Sequence, residues 1–335
     1  MAVDHGGRLN AAIRHWGGHR AQWLDLSTGL NPWPWPVPLI PEHLWHRLPE
    51  EDDGLETVIR RWLGVPAAAA VLPVPGSQAA IQRLPCLRAA GRVAVPAPGY
   101  AEHGYRWKRA GHLVEEHPSS EMESAVDRVD VLVWIQPNNP DGARLPPATL
   151  LDWQRRLAAR GGWLVVDEAF VDPTPEYSLA ASAGAPGLVL LRSLGKFFGL
   201  AGVRCGVVAA EPSLCEALGS TMGPWAVSGP GRWIMRQAMA DEAWQAQTVA
   251  RLREGSRRLA ALLTAAGLTP AAVTSHFCYC THPRAAVIRD GLGARNILVR
   301  HFAEPPALRF GLPPDVAAEA RLRDALAVTM ARLAK

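Results

Sequence analysis

The chain has 335 residues, enough for one large or two medium domains with a well-filled core. Its formal net charge of +4 is spread along the sequence, which argues against a nucleic-acid-binding tail or a polybasic membrane patch. No apolar run approaches the roughly 18 residues of a membrane-spanning helix, and the N-terminus lacks the apolar segment of a signal peptide. We therefore expect a cytoplasmic protein with no nucleic-acid or membrane partner.

Residues 1–45 predict an N-terminal arm that forms part of a smaller domain. A helical pattern runs from Leu9 to Trp16, and a short apolar stretch follows at 23–27. Four prolines between residues 33 and 41 exclude a regular helix or a central strand, because proline lacks the amide hydrogen that both require. We expect an extended connector there.

Residues 46–230 predict a large α/β domain. Helical patterns occur at 55–63, 79–87 and 150–159. The apolar runs between them are continuous rather than alternating, which is typical of strands buried on both faces of a mostly parallel sheet between helices. These runs lie at 71–74, 93–95, 131–135, 163–166, 188–191 and 203–209.

Residues 231–335 predict a smaller α+β domain. One long helix is expected at about 231–265, bent or broken at some point, and short strands follow. The last helix is expected at about 315–333, with Asp315 as its N-cap. The strands are predicted at 277–281, 297–302 and 307–310.

The five cysteines do not indicate a metal site. Their spacing is irregular, and Cys278 and Cys280 stand too close together for an ordinary structural zinc pair. Buried free thiols in a reducing compartment are the expected state. We accordingly predict no metal ligands.

Lys196 stands out because only three of the 35 basic residues are lysines. It lies in an apolar segment beside Phe197 and Phe198, where desolvation lowers the pKa of a lysine and makes its amine available for a Schiff base. An arginine could not do this, since its guanidinium does not deprotonate in proteins. Taken alone, a lysine that extends its amine to the surface is the commoner explanation.

Two further polar residues favour the Schiff-base role of Lys196 over a surface lysine. Asn139, Asp167 and Lys196 each follow a predicted strand and are spaced by about one strand–helix–strand unit. The carboxyl edge of a parallel sheet is where ligands bind. An amine for an aldehyde, a carboxylate for a protonated pyridine nitrogen and an amide for a phenolic oxygen are the groups that pyridoxal 5′-phosphate requires.

A phosphate site is predicted nearby. Gly76, Ser77 and Gln78 open a helix after a strand and offer backbone amides, a hydroxyl and the positive end of the helix dipole. Ser193 and Arg204, on either side of Lys196, can complete this site. One more candidate cofactor contact, Tyr100, follows a strand and is placed to stack on the ring.

Four motifs, Q-P-N-N-P-D-G, D-E-A-F, S-L-G-K-F-F-G-L-A-G-V-R and L-R-F-G, occur in this order and resemble the class I/II aminotransferase family of pyridoxal-phosphate fold type I. The resemblance covers essentially the whole chain. It implies a homodimer in which Lys196 forms the Schiff base and Asp167 pairs with the pyridine nitrogen. Asn139 would hold the ring oxygen, and Arg309 would bind the substrate α-carboxylate.

Shorter segments, among them H-G-G, W-L-D-L-S-T-G-L-N-P and G-P-W-A-V-S-G-P, resemble a decarboxylating branch of this family. That branch implies conversion of L-threonine O-3-phosphate to (R)-1-amino-2-propanol O-2-phosphate and CO2 in cobalamin biosynthesis. His5 and Asn31 are candidates to bind this phosphorylated amino acid. Arg14, Arg20 or another arginine remains open as the partner of its phosphate.

Two alternatives remain. An aminotransferase of the histidinol-phosphate type would use the same groups, since substrate orientation decides which bond breaks. A cofactor-sensing regulator would need a DNA-binding helix–turn–helix, which the first 50 residues lack. The chain also departs from relatives at two tyrosines: Phe170 removes a hydroxyl near the ring oxygen, and Leu48 removes a contact to the neighbouring subunit's cofactor.

Overall fold

The computed structural model describes residues 5–333. Contacts divide them into a large unit (residues 34–139 and 143–246) and a small unit (the described residues before 34, residues 140–142 and those from 247). Elements are numbered in chain order. The helices are α1 Leu9–Trp16, α2 His43–His46, α3 Leu55–Leu63, α4 Ser77–Arg83, α5 Glu102–Arg109, α6 Pro147–Ala158, α7 Pro212–Met222, α8 Gly229–Ala240, α9 Glu242–Ala265, α10 Ala285–Gly293 and α11 Val316–Leu333.

The strands form three sheets among the described residues. Seven belong to the large unit and six to the small unit. They are β1 Leu24–Asp25, β2 Ala70–Val74, β3 Arg92–Pro96, β4 Leu113–His117, β5 Val131–Ile135, β6 Trp163–Asp167, β7 Leu188–Ser193, β8 Gly206–Ala210, β9 Ala272–Val273, β10 Phe277–Thr281, β11 Ile297–Leu298, β12 Arg300–Phe302 and β13 Ala307–Gly311.

The large unit is built on one sheet with the strand order β2-β8-β7-β6-β5-β3-β4. Strands β7, β6, β5, β3 and β4 are parallel neighbours, whereas β8 runs antiparallel to both β2 and β7. All five residues of β5 are buried, as expected for a strand covered on both faces. The prediction of a mostly parallel α/β sheet flanked by helices is confirmed.

Three central strands bring the predicted site to one edge of this sheet. β5, β6 and β7 are consecutive parallel neighbours, with Ile135 opposite Asp167 and Asp167 opposite Leu191. Their carboxyl ends therefore lie side by side. The segments that follow these ends carry Asn139 and Lys196.

The small unit has a four-stranded antiparallel sheet in the order β12-β13-β10-β9 and a separate parallel pair, β1 and β11. Asp315 caps α11 as predicted, since its Oδ1 accepts a hydrogen bond from the Ala318 amide at 2.8 Å. The single strand predicted at 297–302 is wrong. Val299 separates β11 from β12, and the two strands belong to different sheets.

The long helix predicted at 231–265 is two helices, α8 and α9. Asp241 leaves the helical conformation with φ −85° and ψ 73°. Its Oδ1 accepts a hydrogen bond from the Trp244 amide at 3.0 Å, so it caps the start of α9. The break that the sequence left unplaced therefore lies at Asp241.

All five cysteines are free thiols, and only Cys86 is exposed. No helix within residues 5–333 is long and apolar enough to cross a membrane. The domain boundaries predicted at residues 45 and 230 stay a prediction.

Candidate active site

A cavity of about 130 Å³ lies in the large unit at the carboxyl edge of the central strands. Its lining contains eight of the nine residues predicted to hold the cofactor, and the ninth, Gly76, directly precedes Ser77. Residues that the sequence placed far apart thus share one pocket. The eight are Ser77, Gln78, Tyr100, Asn139, Asp167, Ser193, Lys196 and Arg204.

Asp167 ends β6 and is buried, and two donors fix its carboxylate. Its Oδ1 accepts from the Ala169 amide at 3.1 Å, and its Oδ2 lies 3.0 Å from Nε2 of the buried His103. Held on both oxygens, the carboxylate has a defined direction. Sequence reasoning missed His103 because α5 was not predicted. The available signal was its place three residues after Tyr100, one helical turn along.

Lys196 lies against an aromatic wall. Its Nζ is 5.3 Å from the ring centroid of Phe170. Phe197 and Phe198 are buried, and both pack on Trp244 with ring centroids 5.6 Å apart. The segment around the lysine is therefore anchored by aromatic packing, and Phe170 brings an apolar face rather than a hydroxyl to the amine.

The opposite part of the pocket is shaped by a close backbone approach. Gly76 has φ +76°, and a Cβ there would come within 2.7 Å of Arg204 Nη2. Arg204 itself adopts the left-handed conformation with φ 57°. Its Nη1 donates to the Ala201 carbonyl at 3.1 Å. Only glycine lets the guanidinium lie against this loop.

Tyr100 is held by a chain of hydrogen bonds. Its hydroxyl donates to Gln78 Oε1 at 2.9 Å, and Gln78 Nε2 donates to Glu102 Oε2 at 2.8 Å. Burial and the nearby Glu102 carboxylate raise the pKa of the Tyr100 phenol well above its usual range. The phenol is therefore a neutral donor committed to Gln78.

The three predicted substrate residues belong to the small unit. Arg309 on β13 is buried, donates from Nη2 to the Ser27 carbonyl at 2.7 Å and lies over the Phe277 ring at 5.1 Å. Arg300 stands directly opposite it on β12, a neighbour that sequence reasoning missed. Burial, together with the positive charge of Arg300, lowers the pKa of Arg309 to about 9. Two guanidinium groups side by side favour an anionic ligand.

Asn31 and His5 have different surroundings within the small unit. Asn31 is buried, and its Oδ1 accepts from the Trp33 amide at 2.9 Å. His5 lines a cavity of about 350 Å³ with five further basic side chains and no carboxylate in its lining. Neither Arg14 nor Arg20 lines this cavity. The five are Arg8, His15, Arg289, Arg300 and His301.

The large-unit pocket fits pyridoxal 5′-phosphate. The amine of Lys196, the oriented carboxylate of Asp167 and the guanidinium of Arg204 lie in one lining. Glycine at position 76 lets the Arg204 guanidinium pack against the loop that opens α4, where a Cβ would come within 2.7 Å of Nη2. Across residues 5–333, no group of three or more His, Cys, Asp or Glu side chains could hold a metal ion.

Two relatives match nearly the whole chain. A threonine-phosphate decarboxylase of Pseudomonas aeruginosa is 51% identical over 324 residues, which cover 97% of each protein. A threonine-phosphate decarboxylase of Sinorhizobium sp is 41% identical over 333 residues, covering 97% of this chain and 98% of the relative. Both matches extend through the large and the small unit.

A solved aminotransferase structure has a similar fold. The crystal structure of a histidinol-phosphate aminotransferase from Clostridium acetobutylicum superposes with a TM-score of 0.81, over 92% of this chain and 99% of that one, at 18% identity. Residues 48–330 match the family described as aminotransferase class I and II. With this match added to the pocket around Lys196, the chain belongs to the aminotransferase class I and II family.

Proposed function

We propose that the protein is a pyridoxal-phosphate-dependent carboxy-lyase. It converts L-threonine O-3-phosphate to (R)-1-amino-2-propanol O-2-phosphate and CO2, a step of cobalamin biosynthesis. The assignment of the substrate is based on the 51% identity, over 97% of both chains, to a threonine-phosphate decarboxylase. The pocket that unites Lys196, Asp167 and Arg204 supplies the groups this chemistry needs.

The bound cofactor supplies an electron sink for the electron pair left on Cα when the carboxylate departs. Lys196 would provide the amine that holds the cofactor aldehyde, and as a free amine it would return a proton to Cα. Asp167 keeps the pyridine nitrogen protonated, and His103 and the Ala169 amide orient its carboxylate. Asn139 binds the ring oxygen.

The remaining pocket residues hold the rest of the cofactor. Ser77, Ser193 and Arg204 bind its phosphate, with backbone amides from Gly76 onward. Tyr100 covers the ring, and its link to Gln78 fixes the direction of the phenol.

The substrate carries two anionic groups, and the small unit offers cations for both, with Arg300 standing opposite Arg309 and also lining the cavity around His5. Arg309, beside Arg300, binds the α-carboxylate, and Asn31 contributes to its orientation. The phosphate binds to the basic side chains around His5. The way these cations orient the substrate carboxylate would determine whether decarboxylation or transamination follows.

The direct test is incubation of the cofactor-loaded protein with L-threonine O-3-phosphate while CO2 and the amine product are measured. We expect stoichiometric CO2 and amine without any keto acid in the assay. Lys196→Ala should lose both turnover and the absorbance of the covalently bound cofactor. A keto product that forms only with an added keto acid would instead support an aminotransferase of the histidinol-phosphate type.

A homodimer is the assembly we propose, with the cytoplasm as its location. Three large apolar side chains of the connector and α2 region, Leu39, Trp45 and Leu48, are exposed in the single chain. A second copy of the chain that covers them would remove this apolar surface from water. Besides this second copy, the binding partner that we propose is the small phosphorylated amino acid that serves as the substrate.

A further inference from the structure

A buried ionic network is formed by residues that neighbour the pocket lining in sequence. Arg192 is the penultimate residue of β7, and its Nη1 donates to Glu168 Oε2 at 2.9 Å. Its Nη2 donates to Asp172 Oδ1 at 2.6 Å. Glu168 is fully buried and Arg192 is 7% exposed. None of these three residues lines the pocket, and the mechanism above does not use them.

Two members of the network are each joined to a pocket residue by one peptide bond. Arg192 precedes Ser193, and Glu168 follows Asp167. Side chains alternate between the faces of a strand, so an anchor at Arg192 on one face fixes the direction of Ser193 on the other. The Glu168 amide continues the ladder to β7 by donating to the Leu191 carbonyl at 2.9 Å.

The network also closes the loop that carries Phe170. Glu168 Oε1 accepts from the Leu179 amide at 2.7 Å, and Glu168 Oε2 accepts from the Ser178 hydroxyl at 2.7 Å. These two hydrogen bonds, together with the one from Arg192 to Asp172, connect both ends of the loop of residues 168–179. Phe170 lies within this loop, 5.3 Å from Lys196 Nζ.

A second connection runs through Trp62 on α3. The Arg192 guanidinium lies over the Trp62 ring at 4.7 Å, and Trp62 packs on Phe198 with ring centroids 5.8 Å apart. Phe198 follows Lys196 by two residues. The guanidinium thus contacts the segment that carries Asp167 and Phe170 and, through the Trp62 ring, reaches the segment that carries Lys196.

The network is poorly built as a source of stability. Arg192 Nε and Asp172 Oδ2 are buried without a hydrogen-bond partner within residues 5–333. Buried charges with unsatisfied atoms cost free energy that well-packed apolar side chains would not. A role in positioning explains why the chain places three charges here.

We propose that Arg192 is a positioning residue for the cofactor site, holding Asp167, Phe170, Ser193 and Lys196 in place through Glu168, Asp172 and Trp62. The inference rests on cofactor binding in the proposed function, but not on the identity of the substrate. Its test therefore uses cofactor affinity and the pH midpoint of the bound cofactor's absorbance.

Arg192→Met removes both ion pairs with a side chain of similar length. We expect the dissociation constant for pyridoxal 5′-phosphate to rise by about tenfold or more, as is typical when outer supporting contacts are lost, and the absorbance midpoint to shift. Leu157→Ala is the matched control. Leu157 is buried on α6 and does not line the pocket, so this variant should lower the melting temperature without changing either cofactor measurement.

A neutral triple variant, R192M with E168Q and D172N, separates positioning from stability. It removes the carboxylate charges left unpaired by R192M, so the melting temperature should recover while the cofactor affinity should not. If R192M does not fold, Asp172→Ala is a smaller change that removes one acceptor of Arg192, and it should also weaken cofactor binding. Wild-type affinity and midpoint in a folded R192M, or their recovery in the triple variant, would overturn the proposal. Failure of the unmodified protein to bind the cofactor would count against the proposed function instead.

Discussion

At the scale of single residues, Gly76 makes the sharpest demand on the cofactor site. Its φ of +76° strains any side chain, and a Cβ would come within 2.7 Å of Arg204 Nη2. We therefore expect Gly76→Ala to weaken pyridoxal 5′-phosphate binding by about tenfold, since strain and clash together exceed about 1 kcal/mol. Absorbance titration gives the dissociation constant.

Gly202→Ala is the control for this variant. It lies close in sequence to Arg204, but a Cβ there meets no atom within 4 Å and its φ is not positive. Its dissociation constant should match that of the wild-type protein. Equal affinity in both variants would show that the glycine at position 76 is not needed to seat Arg204.

Arg309 shows how a binding residue can oppose stability. Its pKa of about 9 lies below the ordinary value of 12.5, because burial and Arg300 disfavour its charge. Burying this charge beside a second cation costs free energy on folding, so Arg309 contributes a penalty to stability at pH 7. Arg309→Met should leave the melting temperature at pH 7 unchanged or higher.

The same Arg309→Met variant should lose kcat/KM by about a hundredfold or more, since it removes a charged hydrogen-bonding partner of the substrate carboxylate. Arg14→Met, at an exposed site on α1, should alter neither stability nor turnover. A marked drop in melting temperature for Arg309→Met, with turnover retained, would assign the residue to the fold rather than to the substrate.

At the scale of elements, an ion pair joins the start of α3 to α8. Arg232 Nη2 lies 2.7 Å from Asp53 Oδ1, which also accepts from the Leu55 amide at 3.0 Å. Burial raises the pKa of Asp53, but the bonds from Arg232 and Leu55 outweigh it, so the pKa lies below its usual value of 3.8. A lowered carboxyl pKa gives stability that is present above pH 3.8 and lost as pH falls through the folded-state pKa.

Asp53→Asn should therefore lower stability at pH 7 by about 1 kcal/mol, a modest value because the carboxylate is only partly buried. The difference in melting temperature between wild type and variant should hold above pH 3.8 and shrink as the pH falls below it. Asp152→Asn, an exposed partner of Arg155 and Arg156, should show almost no difference at any pH. If the difference in melting temperature between wild type and Asp53→Asn stayed constant with pH, an ionic contribution to stability would be ruled out.

The elements also show what a single sequence can and cannot predict. Buried strands such as β5 are continuous apolar runs, so their positions follow directly from the hydrophobic effect. β4 was missed because it lies at the sheet edge and has only two apolar residues, which two glutamates and a histidine follow. Missing β4 also hid α5, which precedes it, and with it His103.

The site was predictable where function requires one residue type at a strand end. Lys196, Asp167 and Asn139 were found because their strands are regular and about one unit apart. Arg300 and Arg192 were not, because their roles depend on cross-strand register and burial, which the sequence pattern does not contain. Contacts between distant segments become visible only once the sheet order is known.

At the scale of the whole molecule, the exposed apolar side chains of the segment before α3 favour assembly. Leu39 is 96% exposed, Trp45 62% and Leu48 63%, and all lie within ten residues of one another. Surfaces of this kind on an otherwise well-packed unit mark interaction sites. We expect a second copy of the chain to cover these side chains, because a homodimer is the assembly that the resemblance to the class I/II aminotransferases implies.

We therefore expect sedimentation equilibrium to give twice the chain mass of 36.2 kDa. Leu39→Asp combined with Leu48→Asp should shift the protein to the monomer, because two carboxylates in a buried apolar interface would be desolvated without partners.

Val316→Asp is the control, since Val316 is 76% exposed but belongs to the small unit, far from this segment in sequence. Its mass should remain that of the dimer. An unchanged dimer in the double variant would place the interface elsewhere, whereas a monomeric wild-type protein would mean that a different partner covers these side chains.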